Sequence, residues 1–383
     1  MPECENPLWP CAMTGAAACL AGFSGLQVVI HGSSGCYYYP ASLLHAPLHG
    51  TFILENEVVF GSEERLNDTI AELSGTGGRI AVITTCVPSI LGEDIRSMLA
   101  AHDVLLVDSP GFAGDLETGY RAALEALQPV VDPERDGVNI DGVSLSDPFS
   151  RGNVQELTRL LAMASVMVGT VFSCDRLEQI RHAAPFTIGS NDDFRSGLGT
   201  CLGSTLGFEA TRETFTNLAG KFDGADIDPV LREAAVEEER VIHVCDKYLR
   251  RYDPPSVTIF AGVAYALFAA QVLERYLDAA VLFVGTRNEP PDSCYPIGQV
   301  KELGVVRAHI QRCAPDLVIG SSFERSVSDG RAFVGMILPF RDKVRLSHQP
   351  VAGTGGTLHF IENVLNACRD RKPVAPQGGV ANQ

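Results

Sequence analysis

Short apolar runs alternate along the chain with longer stretches in which apolar residues recur every third or fourth position. Leu26–His31, Ile80–Thr84 and Val104–Val107 are such runs, bounded by Gly, Ser or Asp, and are expected as buried strands. Helical spacing covers Pro40–Leu48, Glu63–Leu73, Asp94–Ala101 and Leu116–Leu127. After the punctuation V-D-P-E-R-D-G at 131–137 the alternation restarts. It predicts strands over Val138–Leu145, Val166–Phe172 and Phe186–Gly189, helices over Val154–Met163 and Arg176–His182, then a Gly-rich turn and two longer helices. The last of these lies near Ile227–Tyr252 and is ended by Asp253-Pro254-Pro255. A third unit has strands at Ser256–Gly262, Ala280–Val284 and Leu317–Ile319, with helices at Ala264–Leu277 and Gln299–Cys313. The expected fold class is α/β, with three doubly wound, Rossmann-like domains built on parallel sheets and divided as 1–135, 136–253 and 254–383.

The length supports that division, because 383 residues exceed what one core holds. Net charge is −17, with 47 acidic residues against 30 basic ones, which argues against a nucleic-acid partner. No run of eighteen apolar residues suggests a membrane span, and M-P-E-C-E-N lacks the basic and apolar regions of a secretory signal. A cytoplasmic location is expected. Eleven cysteines in that setting read as thiols and metal ligands rather than as disulfides.

Three of those cysteines, Cys11, Cys36 and Cys86, sit where an apolar run breaks into a turn: P-C-A-M-T-G-A, V-V-I-H-G-S-S-G-C and I-A-V-I-T-T-C-V-P-S-I-L-G-E-D-I. Ligands of open parallel sheets gather beyond the carboxyl ends of the strands, so thiolates on such loops can converge, and converging thiolates suit an iron–sulfur cluster. A strand-end cysteine is also ordinary core filler, and no tight C-x-x-C pair singles out a metal site. Elsewhere, F-A-G-V-A at 260–264 lacks the full dinucleotide fingerprint, and A-G-T-G-G-T-L-H-F in the tail has no P-loop lysine, so this chain is not expected to hydrolyse ATP.

The wording around the cysteines resembles nitrogenase component 1. It continues through L-E-N-E-V-V-F-G-S-E-E-R-L at 54–66, T-T-C-V-P-S-I-L-G-E-D-I at 84–95, V-D-S-P-G-F-A-G-D at 107–115, G-S-S-F-E-R at 320–325 and G-T-G-G-T-L-H-F-I-E-N-V at 353–364. That family includes nitrogenase catalytic subunits, cofactor-assembly scaffolds, protochlorophyllide and chlorophyllide reductases and the nickel-tetrapyrrole reductive cyclase of methanogens. The resemblance implies an oxidoreductase whose cluster, of the [4Fe-4S] type, is held by Cys11, Cys36 and Cys86. It also implies electrons delivered by a separate P-loop iron protein that spends the ATP. A fourth ligand or a shared cluster at a subunit interface follows, hence a homodimer or a heterodimer with a paralogue; Cys4 and Cys19 are further candidates.

The position matching the nitrogenase cofactor cysteine falls in F-T-I-G-S-N-D-D at 186–193, which has none, although Cys201 follows. His348, in R-L-S-H-Q-P, lies near the family's cofactor histidine. Dinitrogen reduction is therefore not expected, and H-G-x-x-G-C followed by V-F-G and T-C-x-x-x-I-x-G-E-D resembles the nickel-sirohydrochlorin cyclase branch. A small-molecule substrate of tetrapyrrole type would need arginines for its carboxylates, and Arg195, Arg325 and Arg345 are candidates. It would also need proton donors, for which His31, Asp192 and His348 are the expected catalytic residues and Asp94 and Asp193 further ones. A non-catalytic scaffold for cluster assembly is the alternative, with the same cysteines.

Overall fold

The apolar runs become strands because a parallel sheet covered by helices on both faces has no solvent side toward which to alternate. The computed structural model describes residues 8–222, 224–341 and 344–370. It contains three all-parallel sheets wound on both faces, as expected. Two compact units divide the chain; residues 9–238 and 345–357 form the one carrying the first two sheets, and the rest of the described residues form the other.

The first sheet is built by α1 (Ala12–Leu20), β1 (Leu26–His31), α2 (Ser34–Leu44), β2 (His49–Gly50), α3 (Glu55–Phe60), α4 (Glu63–Ser74), β3 (Arg79–Thr84), α5 (Cys86–Leu91), α6 (Ile95–Met98), β4 (Val104–Val107) and α7 (Leu116–Leu127). Strand order is β2-β1-β3-β4, with Ile30 opposite Ile83 and His31 opposite Thr84. Successive residues feed opposite cores: Val28, Ile30, Ala81 and Ile83 pack with Leu20 and Leu116, whereas Val29, Ile80 and Val82 pack with Leu66 and Ile70. Helices α1 and α7 cross closely because Gly119 has no side chain; a Cβ there would collide with the Ala12 carbonyl.

The helix expected over Pro40–Leu48 is α2, which starts at Ser34 and ends at Leu44. The first helical turn is the usual place for proline. Here Pro40 stands inside the helix, where its missing N–H leaves the Cys36 carbonyl without its helical donor. His45, in the left-handed region at φ 51°, ends the helix.

The second sheet comprises β5 (Val138–Asp141), α8 (Ser150–Met163), β6 (Val168–Val171), β7 (Phe186–Gly189), β8 (Thr200–Ser204), α9 (Phe208–Ala219) and α10 (Asp228–Leu249), in strand order β6-β5-β7-β8. The stretch expected as a helix at Arg176–His182 is a short 3₁₀ turn, and a second such turn spans Asp192–Phe194. The third sheet comprises β9 (Ser256–Ala261), α11 (Val263–Leu277), β10 (Ala280–Thr286), β11 (Ile297–Gln299), α12 (Leu303–Cys313), β12 (Leu317–Gly320), α13 (Ser322–Ser326), β13 (Ala332–Gly335) and α14 (Gly353–Arg369). Its order is β11-β10-β9-β12-β13. The helix expected from Gln299 instead begins at Leu303, because Ile297–Gln299 adds an edge strand to β10.

Candidate functional site

Two of the three cysteine-bearing turns leave adjacent parallel strands. Thr84 ends β3, Thr85 caps α5 and Cys86 opens it; His31 ends β1, and Cys36 lies in the first turn of α2. The turns touch, since a Cβ at Gly32 would run into the Thr85 side chain. Cys11 comes from before the sheet. It caps the start of α1, bridges to Asp115, and is followed by Ala12, whose N–H donates to the Gly114 carbonyl at 3.1 Å. This pins Cys11 to the turn that follows β4.

That turn contains Gly111, and there the sulfurs meet. A Cβ built on Gly111 would lie 3.0 Å from Cys86 Sγ and 3.2 Å from Cys11 Sγ. Residues separated by seventy-five positions thus bring their sulfurs beside one point. Cys36 packs against the same core as Cys11, and its Sγ accepts from Ser33 Oγ at 3.7 Å. All three thiols are partly exposed.

Among the described residues no three His, Cys, Asp or Glu side chains are gathered tightly enough to hold a single metal ion. A mononuclear site needs all its sulfurs about 2.3 Å from one centre, as around zinc. An iron–sulfur cluster takes one thiolate on each of several irons and spreads its ligands wider. Two soft donors, Cys11 and Cys86, lie beside Gly111 while no atom of Cys36 is among those nearest it, and free thiols spaced in this way suit a cluster better than a single ion.

The expected proton donors fare differently. His31 is not loop-borne but lies in β1, fully buried. Its Nδ1 is 3.1 Å from Thr51 Oγ1 and its Nε2 3.1 Å from Ser62 Oγ, which in turn donates to Glu93 at 2.6 Å. Burial pushes its pKa down to about 4, with nearby Glu93 opposing, so the ring is neutral and tied into a structural network. Asp94 caps α6, accepting from Ser97 N at 3.1 Å. Asp192 is exposed and paired with Arg195 at 2.7 Å, which also occupies that candidate arginine. Arg325 lies over the Phe333 ring and Arg345 over Phe149. His348 is exposed in an irregular segment.

Of the other cysteines, Cys19 is fully buried on α1, and burial drives its thiol far above the usual range, so it packs as core. Cys4 lies outside the described residues. Cys201 is exposed on β8. Cys174 joins His45 and Arg151 in lining a cavity of about 240 Å³ beside the carboxyl ends of β5 and β6.

The glycine-rich tail segment starts α14, and its first turn is already filled. Glu156 Oε1 accepts from Gly355 N at 2.8 Å and Thr354 Oγ1 at 3.1 Å, while Arg159 pairs with Glu156 at 2.8 Å and with Glu233 at 2.6 Å. A protein carboxylate occupies the place a phosphate would take.

Three parallel, doubly wound sheets, the first with cysteines in its connecting turns, define an α/β class of protein. The family model for nitrogenase component 1 type oxidoreductases matches residues 11–188 and 195–369, and the chain belongs to that family. Among its relatives is the nitrogenase iron-molybdenum cofactor biosynthesis protein NifE of Clostridium pasteurianum, 22% identical over 92% of this chain and 86% of that protein. Another is the nitrogenase molybdenum-iron protein beta chain of Methanococcus maripaludis, 21% identical over 96% of this chain and 94% of that one. The solved structure described as "Nitrogenase Cp1 at pH 6.5" superposes with a TM-score of 0.81 at 16% identity, covering 97% of this chain and 94% of its own, which establishes the shared fold. No helix among the described residues is long and apolar enough to cross a membrane.

Proposed function

We propose that this chain is a component-1-type subunit that holds an iron–sulfur cluster, of the [4Fe-4S] type, on Cys11, Cys36 and Cys86 and reduces an unsaturated tetrapyrrole with electrons from a separate ATP-hydrolysing iron protein. The observation that carries the reading is the meeting of Cys11 and Cys86 at Gly111. When bound, the cluster would supply single low-potential electrons. The chain's own contribution is to hold thiolates on turns that follow β1 and β3 and at the start of α1, and to keep one side of the edge packed against the Leu20–Leu116 core.

The other side asks for a cover. Tyr38, Phe60, Ile90 and Phe112, from the elements that follow these strands, are exposed, Phe60 to 87% and Ile90 to 73%. Apolar side chains beside an incomplete ligand set support a partner subunit that shields the cluster and completes its coordination, in a homodimer or a pairing with a paralogue. The abundance of arginine, 25 of the 30 basic residues, suits a polycarboxylate substrate, and the absence of a P-loop lysine is consistent with ATP hydrolysis on another chain. The boundaries near residues 135 and 253, and a cytoplasmic site of action, form part of the same proposal.

The scaffold reading draws on one specific observation, the similarity to a protein named for cofactor biosynthesis along 92% of this chain. The two readings part on turnover. Anaerobic protein incubated with an iron protein, MgATP, reductant and nickel-sirohydrochlorin diamide should consume the tetrapyrrole catalytically; a scaffold would leave it untouched and instead release an iron–sulfur precursor to an acceptor protein.

A further inference from the structure

Helix α7 places one carboxyl group in the interior, with no counter-charge paired to it among the described residues. Glu117 is 7% exposed. Its Oε2 accepts the indole N–H of Trp9 at 2.9 Å, and its Oε1 is buried and meets no hydrogen-bond partner among the described residues. The elements packed on α7 offer no relief: α1 and β4 carry no charged side chain, and the 3₁₀ turn at 192–194 brings acidic residues. Arg195, just beyond that turn, is paired with Asp192. Burial, opposed by Trp9 and reinforced by Asp193 and Asp115, pushes the Glu117 pKa up to about 7. A buried carboxyl with one fixed donor on one oxygen and nothing on the other is built to gain and lose a proton, since either form satisfies only half of the group.

We propose that Glu117 is a proton-loading residue for the reduction proposed above, filled from water. The loading step is a plain proton transfer: hydronium gives its proton to the Glu117 carboxylate, leaving water and the neutral acid, and no electron passes through the group. Trp9, two residues before Cys11, holds the carboxylate form in place between loadings. Multi-electron reduction of an unsaturated ring takes up protons along with electrons, and a reservoir that half-fills near neutrality meets that demand. The proposal rests on the redox reading of the cysteine edge and assigns its proton supply.

Trp9 is the only tryptophan in the chain, so its emission reports on the state of Glu117. The full chain in cluster-free form, titrated between about pH 5 and 9, should show a tryptophan transition with a midpoint near 7. Difference infrared spectra of the as-purified protein should show a protonated carboxyl band vanishing over the same range. Glu117→Gln should abolish both signals while leaving iron per chain unchanged, and should lower kcat by about tenfold or more with KM kept and the pH profile flattened. Where Glu117→Gln does not fold, Trp9→Phe serves instead. With the donor lost, the infrared midpoint should move upward. Flat emission together with an unmoved infrared band, or a transition that survives Glu117→Gln, would overturn the proposal. Iron bound without the titration defeats this proposal alone, whereas titration without iron defeats the redox reading on which it rests.

Discussion

The first and third sheets share one construction, parallel strands feeding helices at their carboxyl ends, yet those ends are finished in opposite ways. Beyond β10 and β12 the space is filled by Arg287 and Glu324, both fully buried and ion-paired, with Arg287 donating to the Val300 carbonyl at 2.8 Å and Glu324 accepting from Ser321 N at 2.7 Å. Beyond β1, β3 and β4 stand thiols, small residues and Gly111, with Cys11 and Cys86 facing one gap. The fold thus provides a place at each edge, and the side chains decide whether it is sealed by an internal ion pair or left for a ligand.

The sharpest break of that comparison is at the sulfurs. Cys36→Ser or Cys86→Ser should bleach the visible absorbance and remove most of the iron, whereas Cys174→Ser, Cys313→Ser and Cys368→Ser should leave iron analysis unchanged. The sealed edge should respond in stability alone. Arg287→Met strands a buried carboxylate and should cost about 3–5 kcal/mol in denaturant unfolding, without loss of iron; pairing it with Glu324→Leu should return part of that cost.

Next in size is the pH dependence of the first sheet. His31 has its folded pKa pushed below its ordinary value of 6.5 to about 4, so the stability it confers is complete above 6.5 and is lost as pH falls toward 4. The loss should approach roughly 3 kcal/mol, and His31→Gln should flatten the acid limb of the unfolding profile. Glu117 acts with the opposite sign. Its raised pKa means that stability present at low pH is lost as pH rises from about 4.5 to about 7. The smallest effect is expected from Gly111→Ala, whose methyl crowds both sulfurs at 3.0 and 3.2 Å and should lower cluster loading modestly, measured as iron per chain.

Much of this was readable in the residues. Leu26–His31 and Val104–Val107 are strands with the expected bounds, because buried parallel strands leave a continuous apolar record. The strands at Thr200–Ser204 and Ala332–Gly335 each include glycine, which breaks that record. At the site, strand-end placement marked Cys86, whereas Cys11 comes from before the sheet and no atom of Cys36 is among those nearest Gly111. It misjudged His31, because burial neutralises the ring and its polar partners, Thr51, Ser62 and Glu93, arrive from positions far along the chain. Glu117 gave no signal at all: an acid in the first turn of an amphipathic helix looks like a solvated one, and only the packing of α1, Trp9 and the 192–194 turn reveals that it is buried.

The most direct test of the central claim is the iron and acid-labile sulfide content of anaerobically purified protein, read together with the EPR spectrum after reduction and repeated on Cys86→Ser. A cluster at the cysteine edge predicts stoichiometric iron and sulfide and a paramagnetic signal upon reduction, all lost in the variant. Protein that carries the same iron and the same signal with or without the Cys86 thiol would contradict it.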